Sequence, residues 1–157
     1  MIFDRVQNDV DAAVALRREK VQTFQELTES EIATLEKGTL TINTLNRIES
    51  KISELNSLLE TLGYVPLDIV IKNWEYTDIF SGDEFNRISA NVGMLRAAIP
   101  VMKDTPDTPL AEYYYSNIND LEKILYDIDF LLNNSQKNVN FSWAIGIADT
   151  GLNFTSL

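Results

Sequence analysis

Three stretches of the chain place apolar residues at alternating spacings of three and four, and this pattern constrains the fold more than any other feature. Alternating steps of three and four keep side chains on one side of an α-helix, whereas a half-buried strand needs a period of two. The three apolar stripes therefore predict an all-α fold, in which three long heptad-patterned helices bury each other as a bundle. Their residues are Leu45, Ile48, Ile52, Leu55, Leu59 and Leu62; Phe85, Ile88, Val92, Leu95, Ile99 and Met102; and Tyr114, Ile118, Leu121, Leu125, Ile128 and Leu132.

Two further helices are predicted before the first stripe. The first begins at Asp4, whose carboxylate can cap it, and ends at about Phe24. The second is short, because Thr28 and Glu31 have the spacing of a capping box and Gly38 stands where a helix ends. We expect Gly38 to adopt the left-handed conformation that commonly closes a helix.

Capping residues also predict the limits of the three long helices. Gly63 ends the first, and Ser81 begins a second capping box that opens the next. Pro100 lies late in the second stripe, so we expect a kink or an end there. The third long helix is predicted to begin at residue 110 or 111 and to stop near residues 133–135.

Two regions lack a helical pattern. Residues 64–80 combine a proline with a β-branched run, which predicts an extended crossing segment. The tail alternates Phe141, Trp143 and Ile145 and is predicted to turn at Asp149-Thr150-Gly151. We therefore divide the chain into a helical bundle domain, residues 1–136, and an extended or hairpin C-terminal arm, residues 137–157.

Missing residue types exclude several kinds of chemistry. The sequence has no Cys and no His, so it offers no thiolate metal site, no imidazole base and no cysteine nucleophile. Neighbouring carboxylates are expected by chance among 24 acidic residues, and they are interpreted as solvated helix faces. No EF-hand loop and no glycine-rich phosphate loop occurs. We therefore expect no catalytic residues, no cofactor and no metal.

The charge balance narrows the classes of partner. A net charge of −11 argues against nucleic acid, because affinity for duplexes depends on Lys and Arg that replace phosphate counterions. No apolar stretch reaches the roughly 18 residues of a membrane-spanning helix, and the first residues lack the basic and apolar regions of a signal peptide. The sequence therefore predicts no nucleic-acid partner, no membrane partner and synthesis without export.

Several short motifs follow one another in a fixed order over residues 3–130. Together they resemble a helical module of tail-associated proteins of phages and prophages of Gram-positive hosts. That module opens with D-R-T-x-x-D-V, and this chain has Val6 where the module more often has Thr. The motifs are Phe3-Asp4-Arg5-Val6-Gln7-Asn8-Asp9-Val10, Leu27-Thr28-Glu29-Ser30-Glu31, Leu45-Asn46-Arg47-Ile48-Glu49, Trp74 with Asp78, Phe85-Asn86-Arg87-Ile88 and Leu95-Arg96.

The resemblance implies a non-enzymatic structural protein of the virion, located in the tail tip, the baseplate or a fibre attachment. It implies synthesis in the host cytoplasm, and its partners would be other tail proteins and further copies of this chain. The resemblance carries over no catalytic residue. It implies architectural roles for the recurring polar residues, with Asp4 and Asp9 as caps and ion-pair acids and with Arg47, Arg87 and Arg96 as buried pair partners.

Aromatic and apolar residues outside the three stripes are the candidate partner contacts. Exposed Tyr and Trp are enriched at protein interfaces, although packing at the ends of the bundle also accounts for them. Carbohydrate binding by the same rings is a less favoured interpretation. The alternative to a virion protein is a soluble partner-binding helical protein, such as an assembly chaperone or regulator that the particle does not retain. The candidate contacts are Trp143, Phe141, Ile145, Phe154, Trp74, Tyr113 and Tyr115.

Overall fold

Five α-helices, joined by segments without regular secondary structure, make up the fold. The computed structural model describes residues 1–23, 25–110 and 114–152, and it describes side chains through residue 134. No residue in this part of the chain lies in a strand, so the predicted all-α class is confirmed. The helices are α1 (Gln7–Thr23), α2 (Glu29–Gly38), α3 (Ile42–Thr61), α4 (Gly82–Ala98) and α5 (Tyr115–Leu152).

The hydrophobic core lies between α3, α4 and α5, which contact one another pairwise. Phe85 of α4 is fully buried there, and so is Ile124, which the third apolar stripe did not include. Tyr114, the first member of that stripe, lies directly before α5 and is 63% exposed. The stripe therefore loses one aromatic residue at its start and gains an isoleucine in its middle.

The pair α1 and α2 forms a hairpin beside this core. The two helices approach so closely at Gly38 that an added Cβ would lie 2.0 Å from the carbonyl oxygen of Asp9 and 2.5 Å from the Cβ of Ala13. Gly38 was expected to be left-handed, but Gly63 is the described glycine with a positive φ, at 86°. The glycine at 38 is thus required by helix packing, while Thr39 closes α2 in an extended conformation.

The other predicted helix limits are set by local hydrogen bonds. Thr28 accepts from the backbone N–H of Glu31, and the Glu31 carboxylate accepts from the backbone N–H of Thr28, which completes the predicted capping box. Ser81 accepts from the N–H of Glu84 at the start of α4. The first long helix ends at Gly63, as predicted, and this glycine has a left-handed conformation with φ 86°.

The C-terminal prediction is wrong in its secondary structure. We expected the last helix to stop near residues 133–135, followed by an extended or hairpin arm, but α5 continues to Leu152 and residues 149–151 are helical. Propagating an existing helix adds one hydrogen bond per residue without a new nucleation cost. No proline follows Pro109 to interrupt it, and Gly146 weakens a helix by only about 1 kcal/mol. Residues 153–157 lie outside the described part of the chain.

Candidate functional site

A buried carboxylate of α5 receives two guanidinium groups from different parts of the chain. Glu122 is fully buried, and its Oε2 lies 2.5 Å from Nη1 of Arg5, which precedes α1. Its Oε1 accepts from Arg47 of α3, at 2.9 Å from Nη2 and 3.1 Å from Nε. Since each carboxylate oxygen serves one arginine, Glu122 joins the N-terminal segment, α3 and α5 at one point.

The N-terminal segment is fixed further by Asn119, one turn before Glu122. The Asn119 side chain accepts from the backbone N–H of Arg5 at 3.3 Å and donates to its carbonyl at 2.9 Å. Arg5 also donates from Nη1 to the carbonyl of Ile2. Its Nη2 is buried and has no hydrogen-bond partner in the described part of the chain. Burying a donor without a partner costs about 1–3 kcal/mol of folding free energy.

A second buried carboxylate, Glu49 of α3, binds the crossing segment and α4 together. Arg87 of α4 donates to both oxygens of Glu49, with Nη1 at 3.3 Å from Oε2. The indole N–H of Trp74 donates to Oε1 at 3.2 Å. Burial alone would lower the pKa of the Arg87 guanidinium, but its hydrogen bonds to Glu49 and Glu84 outweigh burial and raise it. The cluster is therefore a fixed ion pair with a hydrogen-bonded aromatic ring.

The crossing segment, residues 64–80, has no regular secondary structure, and side chains of the helices satisfy its backbone. Asn46 donates to the carbonyl of Trp74 at 3.0 Å and accepts from its N–H at 2.8 Å. The carbonyl of Val70 accepts from Arg87 at 2.7 Å and from Asn91 at 2.8 Å. An extended segment packed on helices has no strand partner, so these side chains replace the missing ladder.

The polar residues of the motif at 45–49 thus act in architecture: Asn46 holds the crossing segment, Arg47 reaches α5, and Glu49 reaches α4. Arg96 donates to the carbonyl of Pro106 at 2.9 Å and pairs with the largely exposed Asp107, so its expected pairing with a buried acid is wrong. Sequence analysis missed the acid for Arg47, which is Glu122. The sequence feature that could have indicated Glu122 is its position directly after Leu121, a residue of the third apolar stripe.

The predicted partner contacts divide into three groups. Trp74 is 3% exposed and packs on Phe80, so it belongs to the core and presents no ring to a partner. Tyr115 is half-buried at the start of α5. Phe141, Trp143 and Ile145 belong to α5, but they follow residue 134, the last residue whose side chain is described. Tyr113 and Phe154 lie outside the described residues.

A cavity of about 300 Å³ adjoins the Arg5 cluster, and Tyr115 forms part of its wall. It lies between the start of α1, the turn from α2 to α3 and the start of α5. Its apolar wall comes from Val10, Leu40 and Ile118. Aromatic, apolar and cationic side chains of the described residues meet at this cavity. Gln7, Gly38, Thr39 and Tyr114 complete its lining.

Carboxylates elsewhere take part in helix caps and ion pairs. The backbone N–H of Val6 donates to Asp9 at 2.9 Å, and this bond holds the pKa of the Asp9 carboxyl below its ordinary value. Burial raises the pKa of the Asp120 carboxyl. Among the residues whose positions are described, no group of three or more acidic side chains is arranged to hold a metal ion.

Comparison of the chain with models of known protein families, with curated proteins and with solved structures found no match. Within residues 1–23, 25–110 and 114–152, no helix is both long enough and apolar enough to cross a membrane.

Proposed function

We propose that this chain is a non-enzymatic structural protein of a phage tail, located in the tail tip, the baseplate or a fibre attachment. Three heptad-patterned helices form its rigid body, and its C-terminal region docks on neighbouring tail proteins or on further copies of the chain. The observation that carries the proposal is the length of α5, which has 38 residues against 20 in α3 and 17 in α4.

Among the helices of residues 1–23, 25–110 and 114–152, none is therefore long enough to pack along the whole of α5. At 1.5 Å per residue, α5 measures about 57 Å and α3 about 30 Å. Among the α5 residues whose side chains are described, which end at residue 134, the last buried apolar residue is Leu132. Residues 138–152 then include one charged residue, Asp149, among 15. A helical stretch with so little charge is typical of a buried helix, which favours a protein partner for it.

The residues behind the family resemblance support a structural role as well. Arg47, Glu49 and Arg87 are engaged in pairs that hold helices together, and Asn46 is engaged with the crossing segment. Ion pairs and hydrogen bonds between elements give the body a defined shape, and a component of a large assembly needs such a shape. The resemblance itself supplies the phage tail as the assembly.

The test is mass spectrometry of purified particles from a phage or induced prophage that encodes this chain, with and without residues 135–157. The core residues between Leu45 and Leu132 remain in the shortened chain, and circular dichroism and urea unfolding check that it is folded before particles are compared. We expect the full chain in particles at a fixed copy number and the shortened chain to be lost from them. A chain that is required for assembly yet absent from particles would contradict the proposal and favour an assembly chaperone or regulator.

A further inference from the structure

We propose that α1 carries an interface for a second copy of this chain, and that the two copies of α1 pair in antiparallel directions. The interface lies beside the stripe of α1 that packs on α2, and it is separate from the C-terminal region of α5. The inference does not rest on a role in a tail, since it follows from the exposed side chains and the charges of α1.

Two neighbouring stripes of side chains run along α1. Ala13 and Lys20 belong to the first stripe, which faces α2, because Ala13 lies against Gly38 and Lys20 pairs with Glu31 at 2.9 Å. The second stripe is displaced from the first by one position along the sequence. Its members have spacings of four, three and four, which is the pattern of a coiled-coil seam. They are Val10, Val14, Arg17 and Val21.

The second stripe is open to solvent along most of its length. Val14 and Val21 are 46% and 66% exposed, while Val10 is half-buried. A groove of about 370 Å³ follows the stripe, and Arg17 and Arg18 form part of its lining. The long stem of an arginine can cover a valine of a facing helix while its guanidinium group stays in water. The stripe can therefore pack against another helix although one of its four members is charged.

The charges beside this stripe indicate which helix covers it. Asp11 and Arg18 lie on the same flank, seven residues apart, and both are exposed. The Asp11 carboxylate accepts from the Gln7 side chain at 2.9 Å, and neither Asp11 nor Arg18 forms an ion pair within the described part of the chain. The flank is thus acidic toward the start of α1 and basic toward its end.

An antiparallel pair of α1 helices matches these charges. When Val14 of one copy faces Arg17 of the other, Asp11 of each copy lies across the flank from Arg18 of the second copy. The two-fold symmetry of such a pair repeats this contact, so one helix supplies both complementary charges. A parallel pair would instead place Asp11 against Asp11 and Arg18 against Arg18. Two helices of 17 residues form a small interface, so the association is weak and covalent trapping is the suitable readout.

The experiment is chemical cross-linking of the full chain, whose sequence has no cysteine, through single introduced cysteines. Ala15→Cys and Gln22→Cys place a thiol at exposed positions of α1 that are seven residues apart. In the antiparallel register, the offset between two copies along the helix axis is about 2 Å at position 15 and about 20 Å at position 22, and a bis-maleimide that spans about 13 Å should link Ala15→Cys chains about tenfold more than Gln22→Cys chains. Equal linking of the two variants, or no linking of Ala15→Cys, would overturn the proposal.

Charge reversal in the Ala15→Cys chain tests the pairing itself. Asp11→Arg and Arg18→Asp should each reduce linking about fivefold or more, because either change places two like-charged pairs across the interface. The two substitutions together should restore linking to within about twofold. Glu19→Arg is the matched control, since it makes the same change of charge at an exposed position on the opposite side of α1, and it should alter linking less than about twofold.

A combined variant that links no better than the single variants would overturn the antiparallel pairing. Circular dichroism of each variant checks that the helices are retained. Should a charge reversal unfold α1, the ratio of linking at positions 15 and 22 in the otherwise unmodified chain still decides the proposal.

Discussion

Arg47 donates two hydrogen bonds to one oxygen of Glu122, from Nε at 3.1 Å and from Nη2 at 2.9 Å, and this leaves the other oxygen to Arg5. The arrangement connects α3, α5 and the segment before α1 through a single carboxylate. Each of the three elements would lose an ion pair if Glu122 were changed. The folding of the N-terminal segment therefore depends on a residue more than one hundred positions away.

Glu122→Gln should therefore destabilise the protein strongly. The substitution keeps the shape of the side chain but leaves two guanidinium groups facing a neutral amide in a buried place. Breaking a buried pair by neutralising one partner costs about 3–5 kcal/mol, and we expect a loss of about 3 kcal/mol in the free energy of unfolding, measured with urea. Glu54→Gln is the matched control, since Glu54 is 61% exposed in its pair with Lys51; it should change stability by less than about 0.5 kcal/mol. A loss below about 1 kcal/mol for Glu122→Gln would contradict the role assigned to this carboxylate.

Gly38→Ala should separate α1 from α2. The new Cβ would meet the backbone oxygen of Asp9 at 2.0 Å, and backbone cannot move aside as a flexible side chain does. We expect a loss of about 1–3 kcal/mol and faster amide exchange in α1 and α2 than in α3. Gly82→Ala is the control, because an added Cβ at Gly82 meets nothing within 4 Å; it should be neutral or stabilising by up to about 1 kcal/mol. Unchanged exchange in α1 for Gly38→Ala would argue against the close approach.

The sequence reveals those features that depend on neighbouring residues. The capping box of Thr28 and Glu31 and the end of α3 at Gly63 are local features, and both predictions are confirmed. Gly38 was predicted to be a helix terminator because the sequence places it at the end of a helix. A glycine is needed at position 38 because the backbone of Asp9 packs against it. Asp9 is distant along the chain, so no local sequence pattern indicates this contact.

Long-range polar contacts limited the prediction of the candidate site in the same way. The family resemblance implied buried partners for Arg47 and Arg87, but it did not identify Glu122 and Glu49 as those partners. Trp74 was a candidate partner contact because aromatic residues favour interfaces, yet an acceptor on α3 draws its indole N–H into the core. The helix to Leu152 was missed because alternating apolar residues suit a strand and also a helix that is apolar on most sides.

Val6→Thr should stabilise the start of α1. Val6 lies directly before the helix, and the Asp9 carboxylate already accepts from its backbone N–H at 2.9 Å, which is half of a capping box. The Asp9 N–H donates to the carbonyl of Val6 at 2.9 Å, and a threonine hydroxyl at position 6 can share this donor and complete the box, so we expect a gain of about 0.5 kcal/mol in urea unfolding. Val14→Thr, in the interior of α1 and 46% exposed, should give no comparable gain. Equal effects at the two positions would contradict the capping geometry.

The capping box of α2 should also give the protein a defined dependence on acid. The hydrogen bond from the Thr28 N–H, followed by the contact with Lys20, lowers the pKa of the Glu31 carboxyl to about 2 from an ordinary value of 4.5. A carboxyl whose pKa is lower in the folded state stabilises that state above the unfolded value, and the contribution is lost as the pH falls toward the folded value. The stability difference between the unmodified chain and Glu31→Gln should thus be constant above about pH 5 and shrink between about pH 4.5 and pH 2, in urea unfolding followed by circular dichroism. Glu29→Gln, in the same first turn but with an exposed side chain, is the control for helix-dipole effects and should show a smaller change over this range. A difference for Glu31→Gln that stays constant from pH 5 to pH 2 would show that its carboxylate does not hold the cap.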